Sequence, residues 1–267
     1  MSLRIKNTFK KKNKKIIAFT TGGDPNFSIS KNIVKIFVKN KIDLIEIGMP
    51  FSDPMADGPT IQQSSLRAID AGITLKEIFE ITKFARMLNK DTPIILMGYY
   101  NIIFNYGIKK FVKKCDEVGV DGLIVVDLQP EEDNNLFKEL KKHNIDLIRL
   151  ITPTTNEQRL KSILLNATGF LYYVTVTGIT GQKSANIKEL KKSITKIRNY
   201  SPLPIVAGFG IKNVRDVRDV CKIADGAVVG SSIVKLVEKY QKNKKQILKT
   251  IDVFTKKLKN GTILWIG

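Results

Sequence analysis

The feature that most restricts how this chain can fold is an apolar run of strand length that recurs eight times. The runs span residues 16–21, 42–48, 93–99, 121–127, 146–152, 169–176, 203–210 and 224–230. Most are continuous in apolar and β-branched residues rather than alternating, as strands covered on both faces are. Helical patterns lie between them, at 31–40, 108–118, 131–143, 156–165, 187–198, 214–221 and 233–240, with a last one at 246–258. Ser30 is placed to cap the first. Thr74 and Glu77 make a capping box for another that carries Ile78, Ile81 and Ala85.

Strand and helix in alternation imply parallel strands joined by crossover helices. Eight such units in 267 residues predict a (β/α)8 TIM barrel. A doubly wound open sheet is the rival, but the turn after the first strand, TGGDPN, lacks the G-x-G-x-x-G spacing that would favour it. With no linker or low-complexity segment in view, residues 1–267 read as one barrel domain with a short basic segment, 1–15, ahead of the first strand.

No apolar run approaches the ~18–20 residues of a spanning helix, so no membrane association is expected. No signal-type segment follows the basic start, so the expected location is the cytoplasm. Cys115 and Cys221 fall in separate predicted helices and read as reduced thiols. The net charge of +20 raises a nucleic-acid partner as a hypothesis. The cations are mainly lysines scattered in pairs along helices, whereas nucleic-acid faces favour arginine forks and stacked aromatics. A solvated surface is the better reading, and no nucleic-acid partner is expected.

Barrel active sites lie at the C-terminal ends of the strands. Those ends carry Phe19, then Glu46, then Met97, Tyr99 and Tyr100, then Ile124 and Asp127, then Tyr172 and Tyr173. GFG at 208–210 and GSS at 230–232 follow the seventh and eighth strands, where barrels of this kind bind phosphate on backbone N–H groups and a helix N-terminus. Gly181, on the sixth loop, adds to that pattern. Glu46 shares a strand face with Leu44 and Gly48. An inward face would bury it, raise its pKa and fit it for proton transfer. A structural carboxylate, paired with a neighbouring cation or held by hydrogen bonds, is the alternative, though no basic residue lies nearby in strands 1–3. Asp57 precedes a glycine, so pattern alone leaves it open between turn chemistry and catalysis. The lone His143, at a helix end, reads as a surface or capping residue. No metal site and no Ser-His-Asp triad is legible.

The stretch from Glu46 to Gln62, EIGMPFSDPMADGPTIQ, resembles the signature of the tryptophan synthase α subunit family. FTTGGDP, LMGYYN, VDGLIVVDLQPEE, YYVTVTGITG and GFGI resemble later family segments in the expected order, so the resemblance covers essentially the whole chain. It implies a lyase that splits indole-3-glycerol phosphate into indole and glyceraldehyde 3-phosphate by a retro-aldol reaction. Glu46 falls at the general acid/base and Asp57 at the second catalytic carboxylate. Phe19, Ile61, Met97, Ile124 and Tyr172 fall at the indole pocket. Gly181, Phe209, Gly210, Gly230 and Ser231 fall at the phosphate site, and Thr180 on a loop that closes over substrate. The resemblance further implies a β-subunit partner in an α2β2 assembly, contacted through Asp53 and Pro54. Pyridoxal phosphate would belong to that partner, with no cofactor or metal in this chain. Other phosphate-binding barrels, a non-catalytic regulator and a nucleic-acid binder are the rival readings. A ring-closing synthase would want a lysine at a strand end, and none is well placed in strands 2–4. The retained Glu46 and Asp57 oppose the regulator.

Overall fold

Each of the eight apolar runs contains parallel strand in the computed structural model, which describes residues 1–175, 183–208 and 210–262. The strands are β1 (Lys15–Thr21), β2 (Leu44–Gly48), β3 (Ile94–Gly98), β4 (Gly122–Val125), β5 (Asp146–Leu147), β6 (Arg149–Ile151), β7 (Leu171–Val174), β8 (Ile205–Gly208) and β9 (Gly226–Val229). The expected fifth strand is thus two pieces, β5 and β6, separated by Ile148 alone. The sheet order is β5-β4-β3-β2-β1-β9-β8-β7-β6. Every pairing between neighbours is parallel. The first half of the split strand pairs with β4 and the second half with β7. The Ile148 N–H also donates to the Leu123 carbonyl at 2.9 Å. One backbone stretch therefore closes the ring.

The helices are α1 (Leu3–Lys10), α2 (Phe27–Lys39), α3 (Pro59–Asp70), α4 (Leu75–Leu88), α5 (Tyr100–Tyr106), α6 (Ile108–Val118), α7 (Asn134–Lys142), α8 (Glu157–Leu165), α9 (Lys183–Arg198), α10 (Val214–Cys221), α11 (Ser231–Lys239) and α12 (Lys244–Lys259). None is long and apolar enough to cross a membrane among the described residues. The period-2 alternation along each strand divides the core. Ile16, Ala18, Ile45, Ile47, Ile94 and Leu96 pack outward against the helices. Ile17, Leu44, Ile95, Ile124, Ile148, Val206 and Val228 point inward and fill the barrel. Each such fully buried aliphatic side chain contributes roughly 1.5–3 kcal/mol by leaving water.

Three local departures from the expected pattern have physical causes. First, α2 begins four residues early. Asn26 is its N-cap and accepts from the Ile29 N–H, while the buried Ser30 hydroxyl, inside the helix, accepts from the Gly23 N–H at 3.0 Å. Second, the basic segment ahead of β1 holds α1, which plugs the floor of the barrel. Its Ile5 packs among the inward-facing residues, and Phe9 meets the Phe170 ring at 5.5 Å. Third, α3 has a buried face of Ser64, Ser65 and Ala68, too small and polar to read as an apolar stripe. The Thr74–Glu77 capping box is present as expected. Cys115 and Cys221 are buried free thiols.

Candidate active site

Strand β2 brings Glu46 into the mouth of the barrel, in register with Phe19 on β1 and Ile95 on β3. The face it shares with Leu44 and Gly48 is the inward one. Glu46 is 2% exposed, and its Oε1 has no hydrogen-bond partner among the described residues. It forms no ion pair among the described residues. Burial pushes its pKa up to about 8, with the nearby negative charge of Asp57 adding to the rise. Near neutrality the side chain is therefore a carboxylic acid that can give a proton and take one back.

Asp57 comes from the loop after β2. That loop is pinned locally: the Asp57 N–H donates to the Pro54 carbonyl at 3.0 Å, and the Gln62 amide donates to the Asp57 carbonyl at 2.9 Å. The Asp57 carboxylate is half-buried, and its Oδ2 accepts from the Tyr99 hydroxyl at 3.0 Å. Burial raises its pKa, opposed by that hydrogen bond. Tyr172, from β7, completes a trio. Burial holds its phenol well above the usual range, and the negative charges of Glu46 and Asp57 push the same way.

Glycines make the room for these rings. A Cβ on Gly48 would lie 2.8 Å from the Phe19 ring, and one on Gly208 would lie 2.9 Å from the Tyr172 hydroxyl. The cleft above is lined by Phe19, Ile61 and Met97 from the expected indole pocket, by Asp57, and by Thr21, Met49, Ser65, Tyr99 and Val126, to which the sequence reading gave no role. Glu46 lies one inward residue below Gly48. Ile124 and Tyr172 sit with Met97 in the inward-facing cluster that floors the cleft. Tyr99 was visible in sequence only as an aromatic at a strand end; its contact with Asp57 spans 42 residues and leaves no local signature.

On the far rim, Gly230 is the N-cap of α11 and Ser231 is its exposed first residue. Gly210 takes a left-handed φ of 57°. The Ser232 hydroxyl donates to the Ile211 carbonyl and ties the two loops together. The first-turn N–H groups of α11 give this rim the positive end of a helix dipole. Thr180, Gly181 and Phe209 lie outside the described residues. Asp53 is exposed and Pro54 buried. His143 caps the C-terminus of α7 and its Nδ1 pairs with Asp116 at 2.8 Å, on the surface. No group of three or more potential metal ligands occurs among the described residues.

A family model described as tryptophan synthase alpha chain matches residues 5–263. The tryptophan synthase alpha chain of Methanocaldococcus jannaschii is 45% identical over 234 residues, 88% of this chain and 83% of its own length. That of Petrotoga mobilis is 40% identical over 249 residues, 93% of this chain and 96% of its own length. A crystal structure of tryptophan synthase subunit alpha from Legionella pneumophila superposes with a TM-score of 0.90 at 33% identity, covering 98% of each chain.

Proposed function

Since this chain belongs to the tryptophan synthase alpha chain family, and so is the lyase that cleaves indole-3-glycerol phosphate to indole in tryptophan biosynthesis, we propose that Glu46 and Asp57 divide that reaction between them. The alpha reaction needs no cofactor of its own. Indole leaves poorly as a carbanion, so the ring carbon bearing the glycerol chain must be protonated first. Glu46, neutral at pH 7, gives that proton. Asp57, as an anion, accepts a hydrogen bond from the ring N–H and stabilises the positive charge that develops on the ring. The Glu46 carboxylate then takes the proton of the hydroxyl next to the ring. The C–H-bearing alcohol carbon becomes an aldehyde, the carbon–carbon bond breaks, and its electron pair returns to the ring. The net transfer is one proton from hydroxyl to ring carbon through Glu46.

The observation that carries this reading is a fully buried carboxyl, one oxygen of which has no partner among the described residues, beside a second carboxylate that lines the same mouth. Phe19, Ile61, Met97, Ile124 and Tyr172 would hold the indole. Gly210, Gly230 and Ser231, with Gly181 and Phe209, would hold the phosphate, and Thr180 would close over the substrate. Association with a β subunit is part of the reading, as an α2β2 assembly with Asp53 and Pro54 at the contact. Pyridoxal phosphate belongs to that subunit. We also place the enzyme in the cytoplasm and treat the barrel as a single functional domain.

The test is Glu46→Gln assayed for indole release alongside calorimetric titration with indole-3-glycerol phosphate. Binding should persist while indole release stops. Full turnover by Glu46→Gln would remove this residue from the mechanism.

A further inference from the structure

Among the described residues, one side chain from another strand reaches the polar groups of the loop that carries Asp57, and it is Tyr99, the residue just after β3. Its hydroxyl accepts from the Ala56 N–H at 3.0 Å and donates to Asp57 Oδ2 at 3.0 Å. Its ring stacks on Phe51 at the start of the same loop, with centroids 5.1 Å apart and planes 26° from parallel. The backbone beneath is fixed in turn, since the Tyr100 N–H donates to Asp127 at 2.7 Å. Tyr99 is therefore buried, held from below, and in contact with both ends of the loop. Asp57 Oδ1 makes no hydrogen bond among the described residues.

The geometry points to Tyr99 as a positioning residue for the reaction: by occupying Oδ2 it aims Oδ1 of Asp57 at the indole N–H. This rests on the role of Asp57 given above. A phenylalanine would keep the ring and its stack on Phe51. It would free the carboxylate to rotate and leave the Ala56 N–H without its acceptor. The phenol is a secure donor, because burial and the Asp57 charge keep it protonated at any working pH. The groups that act on Asp57 from the packed elements are Tyr99, Glu46 from β2 and Tyr172 from β7, with Asp127 near the Tyr99 hydroxyl. Of these only Tyr99 donates to it, and that donation lowers its pKa. Losing the donor raises the pKa, so the anion that the reaction needs forms at higher pH.

The experiment compares Tyr99→Phe, Asp57→Asn and the double variant in the full-length chain, following indole release from indole-3-glycerol phosphate across pH. Thermal unfolding of each variant confirms that the fold is retained. Tyr99→Phe should lower kcat by about tenfold, the usual scale for a hydrogen bond to a charged group. It should leave KM little changed and move the acidic limb of kcat/KM to higher pH. Added to Asp57→Asn, it should produce no further loss. An unmoved acidic limb, or a loss that multiplies with that of Asp57→Asn, would overturn the positioning role. Parent-like activity in Asp57→Asn would instead take down the reading of Asp57 and this inference with it.

Discussion

Glu46 at the mouth of the barrel and Asp121 at its floor are both 2% exposed, yet they sit in opposite chemical surroundings. Asp121 accepts from the Ser2 hydroxyl at 2.6 Å, from Arg4 at 3.1 Å, from Arg86 at 2.6 Å and from the Ile94 N–H at 2.9 Å. Arg86 in turn donates to the carbonyls of Gly119, Asn89, Lys90 and Thr92. The floor acid is an anion whose lone pairs are occupied, and it locks α1, α4 and β4 together. Among the described residues Glu46 has no cation and its Oε1 has no partner, and a second carboxylate lies nearby. Equal burial thus serves two ends. A surrounded acid stabilises the fold, and an unpartnered one stores a proton that the chemistry can use.

The largest contrast should come from neutralising each acid in turn. Glu46→Gln should lower indole release by about a thousandfold, within the range for loss of a general acid and base, with no loss of stability in a urea titration. Asp121→Asn should do the reverse. Breaking a buried charge network of this kind costs about 3 kcal/mol, read as a lower urea midpoint, while the protein that remains folded turns over normally. A variant pair in which both lose activity without losing stability would erase the distinction.

A smaller effect sharpens the mouth itself. Because the folded state holds the Glu46 proton more tightly than the unfolded chain does, unfolding releases a proton at pH values between the ordinary glutamate range and about 8. Its contribution to stability is complete below the ordinary range and is lost as pH rises through about 8. Glu46→Gln should accordingly flatten the stability profile between the ordinary glutamate range and about 8, and kcat/KM of the parent should fall above about 8. Asp57→Asn should move the Glu46 titration to lower pH, since it removes a negative charge that opposes ionisation. Carboxyl-carbon NMR of Glu46 reads this directly, and an unmoved titration would separate the two acids. The smallest effect belongs to the floor. Ser2→Ala removes the α1 cap and one donor to Asp121, and should cost about 1 kcal/mol in a thermal melt, with kcat unchanged.

The sequence shows the barrel plainly, because strands covered on both faces are mainly apolar, and most of the eight runs are continuous rather than alternating. It also shows that Glu46 shares a face with Leu44, since side-chain alternation needs no tertiary information. The split at Ile148 was not legible: 146–152 is one apolar run, and the change of partner is a matter of ring closure. Nor was α1, where Ile5 and Phe9 alone mark the buried side of a short basic helix. Ser30 looks like a cap by residue type, but Asn26 supplies a better-placed acceptor at the start of the helix. Tyr99 belongs to the hardest class, where function depends on a contact between residues far apart in the sequence that no local pattern records.

The closure through Ile148 has a consequence for dissection. A nick there would part the chain into two fragments. One would carry β1 to β5 as an uninterrupted sheet, and the other β6 to β9 as a second. Their remaining shared ladder would be β1 against β9, so the sheet is two curved halves joined along one strand seam and closed on the opposite side through the backbone at Ile148. Co-expressed halves have that seam to find, and the Asp133–Arg149 and Glu131–Arg159 ion pairs on the opposite side, for the cavity to reappear, with Glu46 and Asp57 on the first half and Tyr172, Gly230 and Ser231 on the second.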